Sequence, residues 1–184
     1  MFEPTHGLHA PHTQELTARD FVRDVETFVA GTTAAEADRA TVTSLIEKAW
    51  ALSRTCHRPD WLRWGSSGMP MTGQQIADHA EAAAQALRTA GWNPSIRAGR
   101  GIRDALIHAE TTTPGRFGYD TRRTVGDILG LLIRARTGAP HAYYETWDDH
   151  PDRTVDEVLT LLAAAAAFAR RYGPADHPSA ATAA

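Results

Sequence analysis

Thirty residues apart the chain repeats a phrase, RRTVGDILGLLIRA over 122–135 and DRTVDEVLTLLAAA over 152–165, and from Arg123 and Arg153 onward seven of thirteen positions are identical. Each copy sets a threonine, Thr124 or Thr154, where an N-cap hydroxyl belongs, and a carboxylate, Asp127 or Glu157, three residues later. A carboxylate there meets a free amide and the positive end of the helix dipole. Behind each cap the same apolar stripe recurs at helical spacing: Val125, Ile128, Leu129 and Leu132, then Val155, Val158, Leu159 and Leu162. Two capped helices, over 124–137 and 154–172, should therefore offer like faces to one core and pack as neighbours. An aromatic precedes each arginine by six residues, Phe117 and Trp147, and is expected to tack down each incoming loop alike. Two copies are too few for a stacked array.

The rest of the chain reads as helix by the same signals. Thr17 with Asp20 opens a segment whose apolar positions, from Phe21 to Val29, keep helical spacing until Gly31. Thr33 and Glu36 form a capping box, after which Val42, Leu45, Ile46, Ala49 and Trp50 trace one face toward Arg54. Thr72 and Gln75 form another ahead of Ile76, Ala80, Ala84 and Leu87; Gly91 is placed for a left-handed C′ position, with Trp92 folding back on Leu87 as in a Schellman motif. A shorter helix at about 101–110 carries Ile102, Ala105, Leu106 and Ala109. The stretch TCHRPDWLRWGSSGMPM, 55–71, has neither period and reads as a long connector pinned by Trp61 and Trp64. No segment alternates as a strand. The expectation is an all-α, single-domain bundle of about six helices over 13–173, with a flexible arm over 1–12 and a disordered tail over 174–184.

A chain of 184 residues with 42% apolar content can bury roughly 70% of its unfolded surface in one core. No apolar run approaches the roughly 18 residues of a membrane span, and the start MFEPTHGLHAPH has neither a basic leader nor an apolar signal segment, so a cytoplasmic protein is expected. The lone Cys56 excludes an internal disulfide and reads as a packing residue. Charge is segregated: residues 88–136 hold nine arginines against four acids, whereas 1–87 hold seven cations against eleven acids and 137–184 three against seven. Such a middle either offers a patch to an anionic partner or is neutralised by its acidic flanks, and the flanks are the favoured reading.

The chemistry-bearing clusters are weak. His6, His9 and His12 stand three apart, but Pro4, Gly7 and Pro11 surround them with flexible chain, so no metal site is expected. HAE occurs at His79 and again at His108 without the P-C-x-x-C partner of zinc deaminases, and residues two apart do not share a helix face. Asp104 and His108, four apart, suit a helix-stabilising pair. WDDHPD, 147–152, lacks the glycine and distal glutamate of a calcium loop and reads as a capped, solvated turn. No nucleophile elbow, phosphate loop or dinucleotide fingerprint is present. Neither a catalytic residue, a metal nor a cofactor is assigned.

Residues 75–170 resemble a family of uncharacterised actinobacterial helical domains of unknown function. The likeness rests mainly on WDDHPDRTVDEVL, similar to a W-[ND]-D-x-P-x-R-T-x-[DE]-[DE]-V pattern ahead of the final helix, and secondarily on LRTAGW and GRGIRDAL. Members often carry a cysteine and a glycine in the element matching GRGIRDAL; this chain has Gly101 and Asp104 there, so no role for that cysteine is implied. The resemblance implies a small helical domain of actinobacteria and their mobile elements, with no activity to inherit.

The functional expectation is a non-catalytic interaction or regulatory module that binds a protein partner or itself. Its candidate surface comprises Trp61 and Trp64 in the connector and Leu161, Phe168 and Tyr172, which add a second apolar stripe to the last helix. One alternative is a nucleic-acid-binding accessory protein using Arg97, Arg100, Arg103, Arg116, Arg122 and Arg123. The other is an enzyme, which requires His79, His108, Asp104 and Asp148 to converge.

Overall fold

The computed structural model describes residues 41–175 except Pro94, all of them in one compact unit. The arm, the expected helix from Thr17 to Gly31, the Thr33–Glu36 box and the tail beyond residue 175 lie outside the described residues. Six helices are present among those described: α1 over 41–56, α2 Gly73–Ala90, α3 Ile102–Thr112, α4 Tyr119–Thr137, α5 Tyr144–Asp148 and α6 Val155–Tyr172. A 3₁₀ turn, Ile96–Ala98, precedes α3, and extended pairing is limited to two isolated bridges. The fold is all-α, and no described helix is long and apolar enough to cross a membrane.

Helix α6 lies at the centre because its apolar residues cover most of its circumference. Val158, Leu161, Leu162, Ala164, Ala165, Phe168 and Ala169 are all buried. Helices α2 and α4 pack against it. Its alanines admit α2 so closely that the Gly73 amide donates to the Pro174 carbonyl at 2.8 Å. A side chain on either Gly73 or Gly173 would overlap the other's backbone. Trp50 of α1 stacks on Tyr172 at 4.4 Å and meets Phe168 edge-on at 6.1 Å. Leu161 and Phe168, expected at an interaction surface, are therefore core residues, and Tyr172 is half-buried beneath Trp50. The second stripe of the last helix is covered by the chain itself.

The repeated phrase makes two neighbouring helices, but it does not start both. Thr154 caps α6 as expected, with Glu157 completing the reciprocal box. Helix α4 instead begins at Tyr119 behind Gly118, so Thr124 lies inside the helix, buried, its hydroxyl 3.9 Å from Met71 Sδ. The reason is Thr121, whose Oγ1 accepts the Gly118 amide at 3.1 Å and starts the helix more than a turn earlier. The aromatics also differ in role: Arg153 lies 3.7 Å over the Trp147 ring, whereas Phe117 stacks on His79 at 4.6 Å. Gly91 takes a positive φ of 78°, but its ψ of 135° is extended, so the chain leaves α2 without a Schellman turn.

Trp92 departs in order to reach Asp148. This carboxylate, 3% exposed, accepts the Trp92 indole N–H at 2.8 Å and the Ile102 amide at 2.6 Å. It thereby caps α3 from 46 residues away, where Gly101 has no side chain to do so. A Cβ on Gly101 would stand 2.6 Å from Asp148 Oδ2. Burial pushes the Asp148 carboxyl up and the two donated hydrogen bonds pull it back, while Asp149 and Asp104 push further. The WDDHPD stretch is a solvated turn only from residue 149 onward: residues 149–152 are exposed turn, but Trp147 and Asp148 belong to the helix Tyr144–Asp148 and Asp148 is buried.

Candidate functional site

The side of α4 opposite its apolar stripe is built from residues three and four apart, Tyr119, Arg123, Gly126 and Asp127, Gly130 and Arg134. Two glycines on that side let the following chain lie close: a Cβ at Gly126 would sit 2.8 Å from Tyr144 Cε1, and one at Gly130 would sit 3.1 Å from the Ala142 carbonyl. Between α4 and the 142–145 segment opens a cleft of about 420 Å³. Arg103 of α3 and Arg122, Arg123 and Arg134 of α4 line it, with Tyr119, Tyr143, Tyr144 and His57. Only two carboxylates, Asp127 and Glu145, face these four guanidiniums within the lining.

Each cation is differently held. Arg122 pairs with Glu110 at 3.0 Å and lies 5.3 Å over the Tyr119 ring. Arg123 leans on the Tyr119 hydroxyl and on the charge of Asp127, both of which hold its proton more firmly. Arg134 reaches sulfur, its Nη1 standing 3.6 Å from Cys56 Sγ. Among the described residues Arg103, Arg123 and Arg134 have no carboxylate within 4.0 Å. Burial raises the Asp127 carboxyl, against the pull of Arg123 and His57. Burial lowers His57, with Asp127 opposing and Arg134 assisting. Burial, aided by the Glu145 charge, pushes the Tyr144 phenol far up, so it stays neutral throughout the physiological range.

A second open cleft, about 550 Å³, lies beside the first and shares His57, Arg123 and Asp127 with it. Trp61 and Trp64 line its other side. Trp61 stacks on His57 at 4.3 Å and reaches Phe168, so it anchors the connector. Trp64 does not: it is 46% exposed, with Arg63 over its ring at 5.7 Å.

The six arginines singled out from sequence divide. Arg103, Arg122 and Arg123 meet in the cleft. Arg116 is committed to Asp78 at 2.8 Å, Arg100 reaches the Ala90 carbonyl at 3.4 Å, and Arg97 is exposed beyond the cleft lining. Sequence reasoning missed Arg134 and the three tyrosines, although the helical spacing from Tyr119 to Arg134 was there to be read. The histidine and aspartate convergence that the enzyme alternative requires does not assemble. His79 is fully buried, its Nε2–H donating to the Leu106 carbonyl at 3.0 Å and its Nδ1 accepting the Thr121 hydroxyl at 2.8 Å. His108 is exposed, and Asp104 turns back to the Gly101 amide at 3.2 Å rather than toward it. Only Asp104 and Asp148 come near one another, at the start of α3. No group of three or more potential metal ligands occurs among the described residues.

The architecture defines a small helical domain carrying an arginine and tyrosine cleft on one helix. The chain belongs to a family of unknown function, DUF6197, whose model matches residues 71–168, more than half of its length. No curated protein and no solved structure matches it. Apart from His57, the residues named in the first cleft fall within the matched span.

Proposed function

We propose that this domain is a non-catalytic binding module that seats an anionic ligand in the α4 cleft. One observation carries the reading: Arg103, Arg123 and Arg134 converge from two helices without a carboxylate partner among the described residues. Four guanidiniums against two carboxylates leave the lining with an excess of positive charge, and a bound anion would offset it while its oxygens accept their forked donors. A cleft of about 420 Å³ is within the usual range for small ligands. Calorimetric titration of the full chain with inorganic pyrophosphate at low salt tests this. Saturable binding is expected, weakened at least tenfold in Arg123→Gln/Arg134→Gln; equal binding by that variant, or none by the native chain, would overturn the proposal.

A protein partner remains the second reading, favoured by the exposed Trp64 and Met69 of the connector. Mass measurement by light scattering at high concentration tests self-association. Trp64→Ser leaving a dimer intact would remove this edge as its surface.

A further inference from the structure

The two clefts over α4 are one trough, because His57, Arg123 and Asp127 belong to both. We infer that the trough binds single-stranded nucleic acid, its arginines holding successive phosphates and the rings on its banks stacking on bases. The inference rests on the anion-binding reading above and names the ligand class.

Three features point past a lone small anion. The second cleft, about 550 Å³, continues the first toward Trp64, so the seat is extended. Arg123 and Arg134 are eleven residues apart on one helix, which sets their Cα atoms about 16 Å apart along its axis. That span reaches across more than one nucleotide repeat of a strand and exceeds what the oxygens of one group can bridge. Both banks carry rings open to solvent: Tyr143 is 74% exposed, Tyr119 53% and Trp64 46%. Cations along a groove with aromatic faces beside them are the two elements by which single strands are held, since every base has a face to stack. A duplex does not use this arrangement, because paired bases present edges rather than faces. The carboxylates Asp127 and Glu145 in the same lining hold the net charge of the trough low, so binding should show at low salt and fade as salt rises.

Fluorescence anisotropy of the full chain with a labelled oligothymidylate of about twelve nucleotides, across a salt series, decides the matter. Binding is expected to weaken with salt by a logarithmic slope of about −0.7 for each phosphate held, and Arg134→Gln should flatten that slope by about 0.7. Trp64→Ala, in the second cleft and outside the lining of the first, should weaken the oligonucleotide at least fivefold while leaving the salt slope and the pyrophosphate affinity unchanged. Oligothymidylate bound no tighter than pyrophosphate, a Trp64→Ala variant that binds it normally, or duplex preferred to single strand would each overturn this inference and leave the anion-binding reading standing. Failure of both pyrophosphate and oligonucleotide to bind would remove the two together.

Discussion

Replacing Asp148 by alanine should be among the most damaging single changes in the domain, and the reason can be counted. Its carboxylate satisfies two buried donors, the Trp92 indole and the Ile102 amide. A buried donor left without a partner costs about 1–3 kcal/mol, so two bring the gross loss to about 2–6 kcal/mol. Part of that is recovered, because the raised carboxyl shows that burial works against its charge. A net loss of about 3 kcal/mol follows, and with a urea m-value of about 2 kcal/mol/M the unfolding midpoint should fall by about 1.5 M. Asp148→Asn, which keeps one acceptor oxygen, should fall between. Trp92→Phe removes one donor, so the double variant Trp92→Phe/Asp148→Ala should lose less than the sum of its parts by roughly 1 kcal/mol. An Asp148→Ala midpoint within error of the native chain, or strict additivity with Trp92→Phe, would show that the buried carboxylate does not hold α3 in place.

Thr154→Val should destabilise the domain by about 1 kcal/mol through loss of the α6 cap, whereas Thr124→Val, inside α4 beside Met71 Sδ, should be nearly neutral. Equal effects in denaturation would mean that the two copies of the phrase do the same work after all. Burial holds His79 below its ordinary value, with Glu110 opposing and Arg122 assisting, so the folded state keeps it neutral. Its contribution is then fully present above the unfolded value of about 6.5 and is lost as pH falls below it. Midpoints measured between pH 7.5 and 5.5 should decline in the native chain and decline less in His79→Gln; parallel declines would assign the effect elsewhere.

The helices were legible because their signals are local. Thr72, Gln75, Thr154 and Glu157 lie within a turn of what they cap, and the stripe from Val125 to Leu132 repeats at helical spacing. What stayed hidden depends on partners far along the chain. Asp148 looked solvated because Ile102 lies 46 residues before it, and nothing near His79 announces its partner Thr121, which lies 42 residues after it. The start of α4 was misplaced for a nearer reason, since Gly118 and Thr121 form a weaker cap signal than the threonine and aspartate that follow. Half of the cleft was visible as a basic segment. Its shape was not, because nothing local says that Gly126 seats Tyr144 or that Arg103 arrives from another helix.

Asp148 also sets an order of events during synthesis. At about 5–20 residues per second, the 46 residues that separate Ile102 from its carboxylate take roughly 2–9 seconds to be made. Over that interval α3, a helix of 11 residues, has no side chain at Gly101 to close its first turn and is too short to persist alone. The emerging chain must therefore carry α3 as unfinished structure until WDDHPD arrives, and a nascent chain stalled before residue 148 should lose protection of the Ile102 amide while α2 keeps its own cap.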